Sequence, residues 1–404
     1  MKTLLNLLAT LSLFLSVELL NAEDWLQFRG TDHRGIAESS DLPTSISSEK
    51  NITWKKSLPG RGLSSPIIIG NQIFLTAAST TNQSRLHIMC FDSNDGTTQW
   101  SREFWATGRT ICHEKTCVAA PTPASDGKHI YALYSSNDLI CLDLNGNLKW
   151  MRALMQDYPN ASNSLGLASS PIIVSDTLIV QVENDSESFA AGIDLNKGTN
   201  IWKFPRTKKA NWTSPIKVGK NVVAIQGSEG VTAIEASSGE ILWSYSEGAS
   251  TIPSSVASKD GSTLFIPSNG ITALKPRNDN NTPEILWQEP QLRPGTASPI
   301  IVNDKIFIIN RAGVLNAAKK DTGERLWRLR LEGPFSGSPV ASKGHIYIAS
   351  ERKGLLQSVD LSGKEGKITG TIELGETILG TPAIANDSLY VRSDHHLWKI
   401  SNPK

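Results

Sequence analysis

Ser298-Pro299-Ile300-Ile301-Val302, Asn303-Asp304, Lys305-Ile306-Phe307-Ile308-Ile309, Val314-Leu315-Asn316-Ala317-Ala318 and Glu324-Arg325-Leu326-Trp327 follow one another within residues 298–327. Four short runs rich in β-branched and aromatic side chains alternate with three turns, the pattern of four antiparallel strands joined by hairpins. The turn before the last run carries Gly323, a residue that accepts a positive φ at little cost. Beyond residue 22, no stretch of the chain sustains a helical apolar period.

The same unit recurs along the chain. Gly is followed four positions later by Trp at Gly96/Trp100, Gly146/Trp150, Gly198/Trp202, Gly239/Trp243 and Gly323/Trp327. With 31 Gly and 11 Trp in 404 residues, chance supplies about one such pair, so the five mark a repeat. A small residue and proline open the first run of each unit: Ser65-Pro66, Ala120-Pro121, Ser170-Pro171, Ser214-Pro215, Ser298-Pro299, Ser338-Pro339 and Thr381-Pro382, with Ser254-Ser255 in the remaining slot. Eight starts at steps of 40 to 55 residues predict an all-β, eight-bladed β-propeller of four-stranded antiparallel blades, with seven blades as the alternative count. Trp54, Trp100, Trp150, Trp202, Trp243, Trp287 and Trp327 are read as structural wedges between blades, since an indole is large, rigid and rarely left in water.

Two units break the pattern. Pro283 stands where Gly is expected before Trp287, and in the seventh unit Gly363 to Gly370 is followed by Thr371-Ile372 with no Trp, which predicts the least tightly packed junction there. The eighth unit reaches only three strands before the chain ends, while Ile52-Thr53-Trp54-Lys55 resembles the missing fourth. Residues 52–55 are therefore expected to close the ring, which removes the open sheet edges.

Lys2 precedes an apolar run over residues 4–15, and Ala22 precedes the acidic pair Glu23-Asp24. This layout predicts a signal peptide over residues 1–22 and one exported propeller domain over 23–404, periplasmic or secreted. The run is too short and too interrupted to span a bilayer. Forty Lys and Arg balance 39 Asp and Glu, so no broad field draws in nucleic acid. A monomer is expected.

The Ser-Pro starts and the Asp-x-x-x-Gly-x-x-x-Trp ends, complete from Asp194 to Trp202, resemble the tryptophan-docking repeats of the pyrrolo-quinoline quinone propellers. The opening Asp24-Trp25-Leu26-Gln27-Phe28-Arg29-Gly30 is similar to that of exported bacterial proteins carrying this fold. The resemblance implies either a quinone-dependent dehydrogenase or a non-enzymatic scaffold, as in the propeller lipoprotein of outer-membrane protein assembly. The dehydrogenases carry a vicinal disulfide and a calcium ion beside the quinone. No two cysteines are adjacent here, so neither pyrrolo-quinoline quinone nor calcium is expected, and a non-enzymatic binding scaffold is the preferred reading. The partner is expected to be a protein or a carbohydrate.

Cys90 and Cys141 fall in third strands where other units carry Gly192, Ala233, Ala273 and Ala317, positions for a small buried residue, with a disulfide between blades as the alternative. Cys112 and Cys117 lie in the connection 101–119, where a disulfide, two free thiols or part of a metal site all remain open. No metal site is expected.

Binding is expected on the face that gathers the fourth-to-first and second-to-third strand loops. The long connections 101–119 and 151–168 bring Arg109, His113 and Lys115 to it, and the second-to-third turns add Asn137, Glu229, Arg311, Arg352 and His395. Such a polar, partly basic funnel suits a small anionic or hydroxylated ligand, and any one of these residues is equally well explained as a solvated turn residue.

Overall fold

In a computed structural model of the protein, which describes residues 24–277 and 282–403, Asp143 receives the backbone N–H groups of Asn145 and Asn147 on Oδ1, and Gly146 N–H closes onto its carbonyl. The predicted signal peptide lies outside the described residues. Asp194 caps the turn at Gly198 in the same way. Gly146 holds φ +80, and a Cβ there would stand 2.8 Å from the Trp100 indole of the preceding blade. Gly198 meets Trp150 likewise, at 2.7 Å. The repeated motif is therefore three physical demands in one strip of chain. Asp caps the last turn, Gly offers a bare Cα to the previous blade's indole, and Trp, four residues on, docks onto the following blade.

Eight four-stranded antiparallel sheets result, so the count is eight and not seven. A fully buried indole removes ~150–250 Å² from water, worth about 4–6 kcal/mol of gross transfer energy. Trp100, Trp150, Trp202 and Trp287 each also donate Nε1–H to a carbonyl of the next blade, at 2.8–3.0 Å. Trp243 faces the blade that carries Pro283 in place of Gly, and its buried Nε1 has no partner among the described residues. In every blade the outer strand is bulged at the residue before the docking position, which twists the ring's outer edge and makes it a poor template for a further strand.

The ring closes as the sequence predicts. Ile52–Ser57 pairs antiparallel with His396–Ser401, Ile52 opposite Ile400 and Ser57 opposite His396, as the outer strand of the eighth blade.

Two expectations are corrected. Blade 2 begins at Thr122-Pro123 rather than Ala120-Pro121, because a ring of hydrogen bonds fixes the register. Ser65 N–H donates to Thr122 Oγ1, Thr122 to Ser170 Oγ, and the chain of donors continues through Ser214, Ser254, Ser298 and Ser338 to Thr381, each link 2.9–3.0 Å. The junction after blade 7 is also not loose. Gly370 occupies the docking position opposite Ser358, and its missing Cβ admits the backbone of Ile46. Leu42 and Ile46 are buried there with Tyr347, Leu356, Ile372, Leu397 and Ile400, so residues 38–47 take the place of the eighth indole.

Upstream of that wedge, residues 24–37 enter the channel mouth at the first-to-second strand turns and satisfy the unpaired inner edges of the blades. Trp25 exchanges hydrogen bonds with Ile68, Leu26 accepts from Ser125, Gly35 and Ala37 bracket Ala341, and Gln27 accepts from Ile173. Arg29, fully buried, donates to Ser255 O at 3.2 Å and Pro299 O at 2.6 Å. Burial pushes its pKa down to about 10, and burial with Lys217 and Arg29 pushes His33 down to about 3.

Gly146→Ala is expected to lower the free energy of unfolding by about 1–3 kcal/mol in urea titrations, through overpacking against Trp100 and strain at positive φ. Removing residues 51–56 deletes the closing strand together with Trp54 and is expected to lower Tm by about 10 °C or more; an unchanged melt contradicts the closure.

Candidate functional site

The broad face is organised by connection 106–119, which leaves blade 1 and crosses toward blades 7 and 8. Its root is held by Asp138, fully buried, which accepts Thr107 N–H at 3.0 Å, Thr107 Oγ1 at 2.5 Å and Ser136 Oγ at 2.7 Å. Burial raises the Asp138 pKa. The far end is held by Arg61, which donates to Thr116 O at 3.1 Å and Glu114 O at 2.7 Å while pairing with Asp394 at 3.3 Å. Lys115 reaches blade 7, its Nζ 3.2 Å from Glu351 Oε2, and Ser336 Oγ donates to the other carboxylate oxygen at 2.6 Å. Arg392, buried at the seam of blades 8 and 1, donates to Ser64 Oγ and Thr76 O at 2.9 and 2.8 Å, and burial pushes its pKa down to about 10.

Of the residues expected to line this face, Arg109, His113, Lys115, Glu229, Arg311, Arg352 and His395 are exposed on its loops. Asn137 is not. It is buried at φ +63, donates to Ala161 O and accepts from Asn163, and so fastens the connection 151–168 from below. Lys115 is spent on Glu351. Arg109, His113 and Lys115 share the connection 106–119, whereas Arg311, Arg352 and His395 come from three separate turns.

The most coherent feature of the face is apolar. Ile111, Leu165 and Ile252 are 60%, 40% and 46% exposed, with half-buried Trp212 among them. Their loops are tied in series: His113 N–H donates to Leu165 O at 3.1 Å, Trp212 Nε1–H to Gly166 O at 3.0 Å, and Trp212 N–H to Thr251 O at 2.8 Å. An exposed apolar row held by backbone ties loses little entropy on binding. Sequence reading passed over Trp212 because no Gly precedes it by four residues. The signal that marks it is the same absence, an indole outside the docking pattern.

The four cysteines are thiols in the structure. Cys90 and Cys141 sit opposite Trp100 and Trp150 as small buried residues, and burial pushes both up to about 12. Cys112 is half-buried with Sγ 3.7 Å from Ser135 Oγ, and Cys117 is fully buried. Among the described residues no three His, Cys, Asp or Glu side chains converge as a metal site requires.

A tie whose cation is solvent-exposed contributes little to global stability. Lys115→Ala is expected to change the free energy of unfolding by less than about 1 kcal/mol while raising amide hydrogen exchange across residues 106–119; unchanged exchange would show that the other ties, at Asp138, Arg61 and Leu165, hold the loop without Lys115.

Comparison with known proteins agrees with this geometry. A family model described as outer membrane protein assembly factor BamB matches residues 44–245, 190–309, 270–369 and 311–403. The outer membrane protein assembly factor BamB of Legionella pneumophila (strain Paris) is 25% identical over 217 residues, 51% of this chain and 54% of that protein, so the chain spans about half the length of that relative. Among solved structures, BamB from Moraxella catarrhalis superposes with a TM-score of 0.62 at 16% identity, covering 87% of this chain and 97% of that one. Quinohemoprotein alcohol dehydrogenase from Comamonas testosteroni gives 0.72 at 10% identity over 95% and 81%. At such identities the structures show the fold alone, whereas the family match runs through all eight blades: this chain belongs to the family of BamB-like propellers with quinone-type repeats.

Proposed function

We propose that this protein is an exported scaffold that works outside the cytoplasm by docking a protein partner on its loop-rich face, as part of an envelope assembly apparatus. The observation that carries the reading is the row of exposed Ile111, Leu165 and Ile252 with half-buried Trp212, fastened across four loops by two backbone hydrogen bonds and one from the Trp212 indole. Aromatic and aliphatic anchors on a pre-tied surface suit a protein better than a carbohydrate or a small anion. The assembly role rests on family membership and on the name of the Legionella relative. No described helix is long and apolar enough to cross a membrane.

A quinone-dependent dehydrogenase is the second reading, supported by fold alone. The test is photo-crosslinking from position 252 in intact cells, with the double substitution Ile111→Asp and Leu165→Asp as control. A discrete crosslinked protein that the double variant loses, at unchanged Tm, is expected. If instead the purified protein binds pyrrolo-quinoline quinone with calcium and reduces a dye with alcohols, the dehydrogenase reading takes its place.

A further inference from the structure

Blade 1 is built differently from the other seven. Its last three strands, Gln72–Ser79, Arg85–Asp92 and Thr98–Trp105, are eight residues each, and no strand elsewhere exceeds seven. The docking pair Cys90 and Trp100 fixes the lower end in the same register as Ala317 and Trp327 of blade 6. The surplus therefore lies at the upper end, where about two extra residues per strand project roughly 6–7 Å beyond the neighbouring sheets.

That projection carries an ordered polar constellation. Ala77, His87 and Glu103 are cross-strand partners, and the next row is Ser79, Arg85 and Trp105. Strand alternation places Ser79, His87, Glu103, Arg85 and Trp105 on one face. Ser79 Oγ lies 2.7 Å from His87 Nε2. On the other side of the ring, His87 Nδ1 is 3.8 Å from Glu103 Oε1, and Glu103 is held in turn by Arg85 Nε at 3.1 Å. The His87 ring is buried, with no hydrogen-bond partner on Nδ1, and the Glu103 carboxylate is the acidic group paired with that nitrogen. Tyr134 O–H donates to the His87 carbonyl at 2.7 Å and fixes the backbone beneath.

Two further features lie beside Ser79, the first in the turn where Thr80 Oγ1 accepts the Ser84 N–H and Thr80 O accepts the Gln83 N–H. Thr80, the next residue, holds φ +75, a conformation that a β-branched side chain adopts only under constraint. Its N–H has no acceptor among the described residues. The exposed Trp105, with the Arg85 guanidinium 4.3 Å from its ring centroid, offers an apolar wall on the same face.

We propose that Ser79, His87 and Glu103 form a serine nucleophile site that hydrolyses small esters at the rim of blade 1, independently of protein docking. Ser79 Oγ attacks the ester carbonyl carbon while its proton passes to His87 Nε2, and the Thr80 N–H faces the oxygen that becomes negative. The imidazolium returns the proton to the departing alkoxide as the carbon–oxygen bond breaks. Water, deprotonated by the same Nε2, then releases the acid and restores the serine. Ser79 and His87 are the catalytic residues and Glu103 is a positioning residue. The charged groups facing the imidazole are Glu103 and Arg85. Burial lowers the His87 pKa below its ordinary value, Glu103 opposes this and Arg85 adds to it, so the ring is a neutral base near pH 7.

The experiment treats the intact protein with a fluorophosphonate probe, in which the serine oxygen bonds phosphorus and fluoride leaves, and maps the adduct by peptide mass spectrometry, alongside turnover of 4-nitrophenyl acetate. Ser79 is expected to be the labelled residue. Ser79→Ala should abolish label and turnover at unchanged Tm, and His87→Gln should slow both by about 100-fold or more. Glu103→Gln should slow them less and move the acid limb of the pH profile to lower pH, because the lost carboxylate no longer raises the imidazole pKa. Natively folded wild-type protein that acquires no adduct on Ser79, or that labels Ser79 as fast in the His87→Gln variant, overturns the proposal.

Discussion

Everything in this ring depends on a contact between an indole and a bare α-carbon. Each blade is a small sheet with two apolar faces, so its stability is a property of its junctions. The indole that ends one blade rests on the glycine that begins the last strand of the next. Neither partner has a use without the other. The Asp-capped turn sets the glycine's left-handed backbone, and the small third-strand residue, including Cys90 and Cys141, leaves room at the base of the indole. The chain repeats this one joint and varies the loops around it, which is why sequence identity to other propellers falls to 10–16% while the fold persists.

The exceptions obey the same constraint. Where blade 7 has no indole, Gly370 stands in its place, and residues 38–47 supply the missing volume with Leu42 and Ile46. A junction can thus be filled from outside the repeat. The serine and threonine hydroxyls at the blade starts add a second, lighter constraint, seven hydrogen bonds that run the same way around the axis and stop at Ser65, whose hydroxyl has no partner. The break falls beside the seam where the two ends of the chain meet.

How much of this was legible follows from range. The docking motif is local, nine residues from Asp194 to Trp202, so blade number, strand order and the closing role of residues 52–55 could be read directly. The path of residues 24–47 could not, because it has no period and its partners are scattered around the ring from Ile68 to Asp387. Blade 2 was misread by two residues because Ala120-Pro121 and Thr122-Pro123 present the same local signal, and only the hydroxyl ring separates them. On the binding face, turn position predicted exposure well for Arg311 and Arg352 and badly for Asn137, whose left-handed backbone and short amide suit it equally to a buried clasp. The apolar row was invisible for a different reason: Ile111, Leu165, Trp212 and Ile252 are neighbours only through three loop ties.

The course of residues 24–37 also gives the molecule a direction. Asp24 accepts a hydrogen bond from Gly70 at a first-to-second strand turn, on the face opposite the long loops, and the chain from there to Ala37 is stitched to six of the eight blades. A pull applied upstream of Asp24 is therefore shared around the ring instead of peeling one sheet away. The narrow side thus works as the ring's clasp, and the loop-rich surface faces away from it.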